Sequence, residues 1–191
     1  MTIRPKDRKL AELILFISER SETDPAFGEE KLIRLLFNAD FSAYRMFQNS
    51  ITRQEYEKRF VCPAPRRLPA VRKALVERGE LAIRVREPFG SKQNRTFALR
   101  TADLAEFTTD EISLVTKLIA ENRERSAATV RNLSEEIIGW DEAEIGETVP
   151  YEIAYLSKRP PTEEERRLML KDIPRAKAFY ARKDKAVMTD A

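Results

Sequence analysis

Apolar residues in the first fifty positions recur at helical spacing in two runs. From Pro5 to Arg20 they fall three and four apart, which predicts a helix with one buried face. From Glu29 to Phe47 they form two stripes, which predicts a helix enclosed on two sides and therefore central to the fold. Asp40 lies between the stripes, so its carboxylate should be partly buried and needs a hydrogen-bond donor. The stripes consist of Leu32, Leu35, Leu36 and Ala39 on one side and Ile33, Phe37, Phe41 and Tyr44 on the other.

The middle of the chain predicts a short helix followed by a hairpin. Pro69 opens the helix and Gly79 ends it, with Lys73 pointing outward. Alternation then begins at Leu81, Ile83 and Val85, is interrupted by a loop over residues 87–94, and returns at Phe97 and Leu99. A short helix and a long-looped hairpin are typical of a winged-helix unit, but the same pair also serves as plain scaffold in mixed folds.

Capping signals predict three later helices. Thr108 with Glu111 forms a capping box for a helix reaching about Glu124, and Ser126 opens a second helix that should pack antiparallel to it. Thr162 and Glu165 form another box at the start of a charged helix. The predicted fold is mainly α within the α+β class. It comprises a helical domain over residues 1–156 with one winged-helix-like hairpin, and a charged helical tail over residues 157–191.

Composition excludes several kinds of chemistry. The 191 residues contain no histidine, one cysteine and five scattered glycines, which excludes histidine-based triads, zinc sites that need imidazole or four thiolates, and glycine-rich phosphate loops. We therefore expect no metal and no cofactor. No apolar run is long enough for a membrane span or a secretory signal, so a cytoplasmic protein with no membrane partner is expected.

Charge is distributed unevenly around a formal net value of +3. Thirteen basic and five acidic side chains lie in residues 53–100, whereas four basic and thirteen acidic ones lie in residues 101–156. Such blocks are typical of a face for a polyanion or a charged protein partner, or they neutralise each other across the fold. The candidate contacts are Arg66, Arg67, Arg72, Lys73, Lys92 and Arg95, and the last four are expected on one exposed side.

A set of short motifs stands in a recognisable order. The central helix reads K-L-x-x-L-L-F-x-A-D from Lys31 to Asp40, a later helix opens with F-T-x-D-E, and a Trp and a V-P-Y-E sequence follow. In this order the motifs resemble the Panacea (SocA-like) family of antitoxins over about residues 10–156. One departure is that the family's Gly-Pro loop is here Cys62-Pro63. The positions matched are Lys31, Leu32, Leu35, Leu36, Phe37, Ala39, Asp40, Pro63, Phe107, Thr108, Glu111, Ser126, Ala127, Trp140, Val149, Pro150, Tyr151 and Glu152.

The resemblance implies a non-enzymatic protein of bacterial or phage defence that binds a toxin encoded by an adjacent gene. In the SocA-like branch it implies an adaptor that hands the toxin to a ClpXP-type protease. A structural or partner-binding role is implied for Lys31, Leu35, Phe37, Asp40, Pro63, Trp140, Pro150, Tyr151 and Glu152. Among these, we expect Trp140 and Tyr151 to be structural packing anchors.

Two further functions are compatible with the residues. The first is a winged-helix regulator that binds nucleic acid, including its own promoter, through Arg72 and Lys73 on the helix and Lys92 and Arg95 on the wing. The second is an acid/base enzyme that uses a carboxylate of the central helix or of the V-P-Y-E motif together with a tyrosine. The sequence leaves open whether the protein forms a homo-oligomer.

Overall fold

The structure is a computed structural model that describes residues 2–60, 62–87, 92–125, 137, 140, 143–156, 160–171 and 174. The mixture of helices and short strands confirms the predicted α+β class. In chain order the elements are a 3-10 turn Pro5–Asp7, α1 (Arg8–Arg20), α2 (Glu29–Phe47), β1 (Tyr56–Glu57), β2 (Ala64–Pro65), α3 (Leu68–Glu77), β3 (Leu81–Arg86), β4 (Gln93–Ala98), α4 (Thr109–Glu121), β5 (Thr148–Val149), a 3-10 helix Tyr151–Tyr155 and α5 over residues 163–171.

Helix α1 lies inside the first core and not at its surface. Leu10, Leu13, Ile14 and Ile17 are buried, as predicted from their spacing. However, Phe16 is also buried, as are Ala11 and Leu15 on the sides where solvent was expected. The prediction of a single buried face is therefore wrong, because α2, α3, α4 and β4 surround the helix.

Helix α2 separates two cores and has the predicted bounds. One stripe, including Leu35, belongs to the core around α1. On the other, Phe37 and Phe41 belong to an aromatic core with Tyr56 and the 3-10 helix that contains Tyr151. Ile33 is an exception, since it packs with the first core. The two-stripe prediction of a central helix is confirmed.

The predicted hairpin is present, but its apolar face is buried only at the base of the hairpin. Strands β3 and β4 pair antiparallel, with Leu81 opposite Ala98 and Arg84 opposite Arg95. Leu81 is buried, but Ile83 and Val85 on the same strand are 39% and 62% exposed. On β4, Thr96 is buried and its hydroxyl lies 2.8 Å from that of Ser18 in α1. Because Ile83 lies opposite Thr96, the apolar positions of β3 share the face that packs on α1, and their exposure increases toward the hairpin loop.

A three-stranded sheet that the sequence did not predict joins distant parts of the chain. Strand β1 lies between β2 and β5 and pairs antiparallel with both. Tyr56 is opposite Pro65 on one side and Val149 on the other. Each strand has two residues, which is too short for an alternating pattern to be recognised. The sheet fixes the loop that precedes α3 against the segment near the V-P-Y-E motif.

Capping boxes begin both later helices as predicted. At α4, Thr108 Oγ1 accepts from the backbone N–H of Glu111, and the Glu111 carboxylate accepts from that of Thr108. Thr162 and Glu165 make the same pair of bonds before α5. Helix α4 ends at Glu121, three residues earlier than predicted. The helix predicted from Ser126 falls outside the described residues, apart from buried Ile137 at its end.

Helix α5 is attached to α2 by an ion pair. Arg45 Nε lies 2.7 Å from Glu165 Oε1, and both side chains are about nine-tenths buried. Gln48, which ends α2 in the left-handed conformation, also donates to the carbonyl of Leu168 at 3.4 Å. The first part of the predicted tail is therefore packed against the helical domain. None of the described helices is both long and apolar enough to cross a membrane.

Candidate functional site

Lys31, the first residue of the resemblance motif, is buried and joins three segments. Its ammonium lies 2.5 Å from Asp24 Oδ2 and donates to the carbonyl of Arg125 at 2.9 Å. Asp24 also accepts from the backbone N–H groups of Ala26 and Glu124. Burial lowers the pKa of Lys31, and the Asp24 carboxylate opposes that effect. Lys31 therefore fixes the loop before α2 and the end of α4, where a buried charge needs all of these partners.

Asp40, also on α2, has no exposed surface and fixes the loop that follows the helix. One carboxylate oxygen accepts from the backbone N–H of Thr52 at 2.7 Å, and the other contacts the Thr52 hydroxyl. Tyr56 Oη lies 2.8 Å from the second oxygen. The prediction that this carboxylate is held by structural hydrogen bonds is confirmed. A substrate could reach it only if the loop opened, so the geometry gives no support to a catalytic role for Asp40.

The complete burial of Asp40 favours its neutral form. Burial raises the pKa of its carboxyl group, although the bonds from Thr52 and Tyr56 oppose the shift. Tyr56 Oη also lies 3.0 Å from the carbonyl of Leu36, yet a phenol has only one proton to donate. If Asp40 is protonated, its carboxyl donates to Tyr56 and Tyr56 donates to Leu36, so that both distances are satisfied.

Tyr151 and Trp140 lie at the edge of the aromatic core. Tyr151 donates to the carbonyl of Gln54 at 2.7 Å, and its ring stacks on that of Tyr44 at 5.4 Å between centroids. Burial raises the pKa of the Tyr151 phenol far above its ordinary value of 10.0. Trp140 is partly buried against the same core, with Lys58 Nζ 5.4 Å from its ring centre. Both residues pack as anchors, but Trp140 keeps an exposed side.

The remaining motif positions are divided between the interior and the surface. Leu35, Phe37 and Pro63 are buried, whereas Pro150 and Glu152 are partly exposed at the start of the 3-10 helix. Most motif residues thus support the fold from inside. A surface for a partner must be sought elsewhere.

The basic residues proposed from the sequence do not form one exposed side. Arg95 is 9% exposed and donates to the backbone carbonyls of Ser21 and Glu22. Arg72 is turned toward α2, where it pairs with the Glu29 carboxylate. The expectation that both lie on an exposed face is wrong, because Arg95 reaches the carbonyls that follow α1 and Arg72 reaches the start of α2.

The other four basic residues are accessible to different degrees. The side chains of Lys73 and Lys92 are 69% and 78% exposed and have only distant carboxylates, at 3.8 and 3.7 Å. Arg66 lies 3.1 Å from Glu57, and Arg67 lies 3.3 Å from the carboxylate of Asp7. Arg66 and Arg67 directly precede α3 in the sequence, whereas Lys92 lies after α3, next to β4.

An apolar groove, which sequence reasoning missed, lies between α2, the loop after β1, α3 and β3. Its volume is about 560 Å³. Phe60 stands beside it with 91% of its surface exposed, the highest value for any large apolar residue in the described chain. Cationic side chains lie at its edge. The groove is lined by Glu29, Ile33, Arg59, Phe60, Cys62, Ala64, Pro65, Leu68, Pro69, Arg72, Lys73 and Ile83.

No signal in the sequence separates Phe60 from a core residue, because an isolated apolar residue is normally assigned to the interior. Neighbouring Cys62 illustrates the contrast. It is fully buried among the residues that line the groove, and burial raises the pKa of its thiol to about 12.

No protein-family model, curated protein or solved structure matches this chain.

Proposed function

We propose that this chain is the antitoxin of a toxin–antitoxin pair and neutralises the product of an adjacent gene by binding it. The single observation that carries the proposal is Phe60, exposed beside an apolar groove. Exposed aromatic side chains next to concave apolar surface are typical of protein interfaces. The expectation that the partner is a toxin comes from the ordered motifs that resemble the Panacea family.

The chemistry of the groove defines the partner segment that would fit it. Covering a phenylalanine that is otherwise in water contributes about 1.5–3 kcal/mol, so Phe60 is suited to be an energetic anchor. The exposed Lys73 ammonium and the Arg59 guanidinium lie at the edge of the same groove. We expect the toxin to insert apolar side chains flanked by carboxylates, since such a segment complements both features.

The hairpin extends the same surface. Ile83 lines the groove, and Val85 lies two residues further along β3 and therefore on the same face of the strand. Val85 is 62% exposed. A partner seated in the groove would also cover this strip, which gives the unexpected exposure of the β3 side chains a role.

Nucleic-acid binding has less support from the geometry. Of the four residues assigned to that role on α3 and the hairpin, Arg72 and Arg95 are occupied by contacts within the protein. Of these four, Lys73 and Lys92 are left as accessible cations, and duplex affinity grows with the number of phosphates neutralised, so two lysines contribute little. We therefore propose a protein as the principal partner.

Co-expression with each flanking gene tests the proposal. The protein should restore growth of cells that express the toxic neighbour and should be recovered with that neighbour in a stable complex. Occlusion of the toxin predicts that toxin abundance is unchanged by the antitoxin. Delivery to a ClpXP-type protease predicts that toxin abundance falls, but only in cells that contain the protease. The proposal is wrong if neither neighbour is toxic or if no complex forms.

A further inference from the structure

A second concavity lies between the N-terminal segment, the loop 51–55 and the start of α3. Its volume is about 620 Å³. Six cationic side chains line it, against two carboxylates. The cations are Arg4, Lys6, Lys9, Arg53, Arg66 and Arg67, and the carboxylates are Glu55 and Glu106. We propose that this cleft binds a small, multiply charged anion of the phosphate class.

Two of these cations are available to a ligand, whereas Lys9 is paired with Glu111 at 2.8 Å and Arg66 with Glu57 at 3.1 Å. Lys6 and Arg53 are exposed and make no ion pair within the described part of the chain. Arg4 and Arg67 share one carboxylate, that of buried Asp7, at 2.7 and 3.3 Å. A single carboxylate cannot neutralise two guanidinium groups, so the cleft keeps an excess of positive charge.

The loop that contributes Arg53 is fixed in place before any ligand arrives. Asp40 holds Thr52 from inside, and Tyr151 donates to the carbonyl of Gln54 at 2.7 Å. The Gln54 side chain donates to the carbonyl of Lys6 at 2.8 Å, which joins the loop to the N-terminal side of the cleft. Both uncommitted cations are therefore held by the same network, and such preorganisation favours binding.

Arg53 also adopts an unfavourable backbone conformation. Its φ angle is 53°, in the left-handed region that an arginine rarely occupies. The hydrogen bonds on both sides, at Thr52 and Gln54, over-determine the loop and impose this conformation. Residues held in this way are concentrated at ligand-binding sites. The strain is thus explained if the position of the Arg53 side chain matters.

The lining favours a small phosphate compound over a macromolecule. The volume lies within the range of about 300–1,000 Å³ that is usual for small-molecule sites. Among the described residues that line the cleft none is aromatic, so they offer no platform for a stacked base. Guanidinium and ammonium groups together match the oxygens of a phosphate or pyrophosphate group. The apolar groove with Phe60 is a different surface and is not required for this binding.

Calorimetric titration of the whole protein with pyrophosphate, at about 0.15 M salt, tests the proposal. Arg53→Gly removes the cation and suits the positive φ, so this variant should be at least as stable as the wild type. We expect saturable one-to-one binding that Arg53→Gly and Lys6→Ala each weaken about tenfold. Arg53→Lys should keep most of the affinity.

Lys92→Ala combined with Lys117→Ala is the matched control, because both side chains are exposed cations outside the cleft. This double variant should bind pyrophosphate as the wild type does. If it is weakened as much as Arg53→Gly, binding reflects general charge and the proposal is wrong. The absence of saturable binding to the wild type would overturn it too, without bearing on toxin neutralisation.

Discussion

The protonation state of Asp40 can be tested by replacing the carboxyl group with an amide. In Asp40→Asn, the side-chain oxygen can accept from the N–H of Thr52, and the amide can donate to the hydroxyls of Thr52 and Tyr56. A neutral carboxyl makes the same bonds to the Thr52 N–H and to Tyr56, but it accepts from the Thr52 hydroxyl, to which the amide would donate. We therefore expect Asp40→Asn to change the free energy of unfolding by less than about 1 kcal/mol at low pH.

Asp40→Ala is the contrasting variant. It leaves the N–H and hydroxyl of Thr52 without an acceptor in a site with no exposed surface, whereas Tyr56 keeps the carbonyl of Leu36. A buried donor without a partner costs about 1–3 kcal/mol, and a small cavity adds to this. The loss should total about 3 kcal/mol, measured by urea denaturation.

The pH dependence of the free energy of unfolding shows whether Asp40 is protonated in the folded protein. Because the folded pKa of Asp40 is raised above its ordinary value of 3.8, the folded state holds a proton that the unfolded chain releases. The contribution of this group is complete below about pH 4 and is lost as pH rises through the folded pKa, by at most about 1.4 kcal/mol per pH unit. The wild type should therefore lose stability relative to Asp40→Asn over that interval.

Taking the difference between the two proteins removes the other titrating groups. The pKa values of Asp7, Glu29 and Glu80 are lowered by arginine partners, so these carboxylates add stability as pH rises. That effect is the same in both proteins and cancels. If the difference is independent of pH and Asp40→Asn is destabilised as much as Asp40→Ala, the carboxyl is ionised in the fold and the reasoning is wrong.

Three further predictions concern stability and reactivity. Cys62 is buried with a raised pKa, so its thiol should not react with a disulfide reagent at pH 8 in the native protein. The thiol should react fully once the protein is unfolded in urea. Rapid reaction in the native protein would contradict this prediction. Trp140→Ala should lower the free energy of unfolding, measured by urea denaturation, by about 2 kcal/mol. This is less than the loss of about 3–5 kcal/mol typical of a fully buried aromatic residue, because the Trp140 ring is partly exposed. A loss above about 4 kcal/mol would show that Trp140 is a core residue. Glu165→Leu removes the carboxylate bound to Arg45, so trypsin should cleave within α5 about tenfold faster. An unchanged cleavage rate would mean that the ion pair does not hold α5 against α2.

The long helices could be predicted from sequence because their apolar periodicity extends over several turns. The bounds of α2 and the capping boxes at Thr108 and Thr162 are confirmed, since a helix start depends on residues three apart. The strands β1, β2 and β5 were missed because two residues cannot show a period. What they contribute is long-range pairing, which depends on the tertiary fold.

Contacts between distant parts of the chain, and the exposure of individual side chains, were harder to predict than the helices. That Asp40 needed a donor followed from its position between two apolar stripes, but its partners Thr52 and Tyr56 lie 12 and 16 residues further on. The burial of Arg95 depended on its bonds to the carbonyls of Ser21 and Glu22, which lie 74 and 73 residues earlier in the chain. Phe60 could be found only from the structure, because exposure of an apolar residue leaves no pattern in sequence.

The most direct test of the proposed function is to measure the affinity of the purified toxin for the wild-type, Phe60→Ala and Leu170→Ala forms of this protein. Both residues are exposed apolar side chains, at 91% and 69%, so neither change should alter the melting temperature. We predict that Phe60→Ala weakens binding at least about 30-fold, as expected for an anchor residue, and that Leu170→Ala leaves it unchanged. Wild-type affinity in Phe60→Ala would contradict the assignment of the groove as the toxin-binding surface.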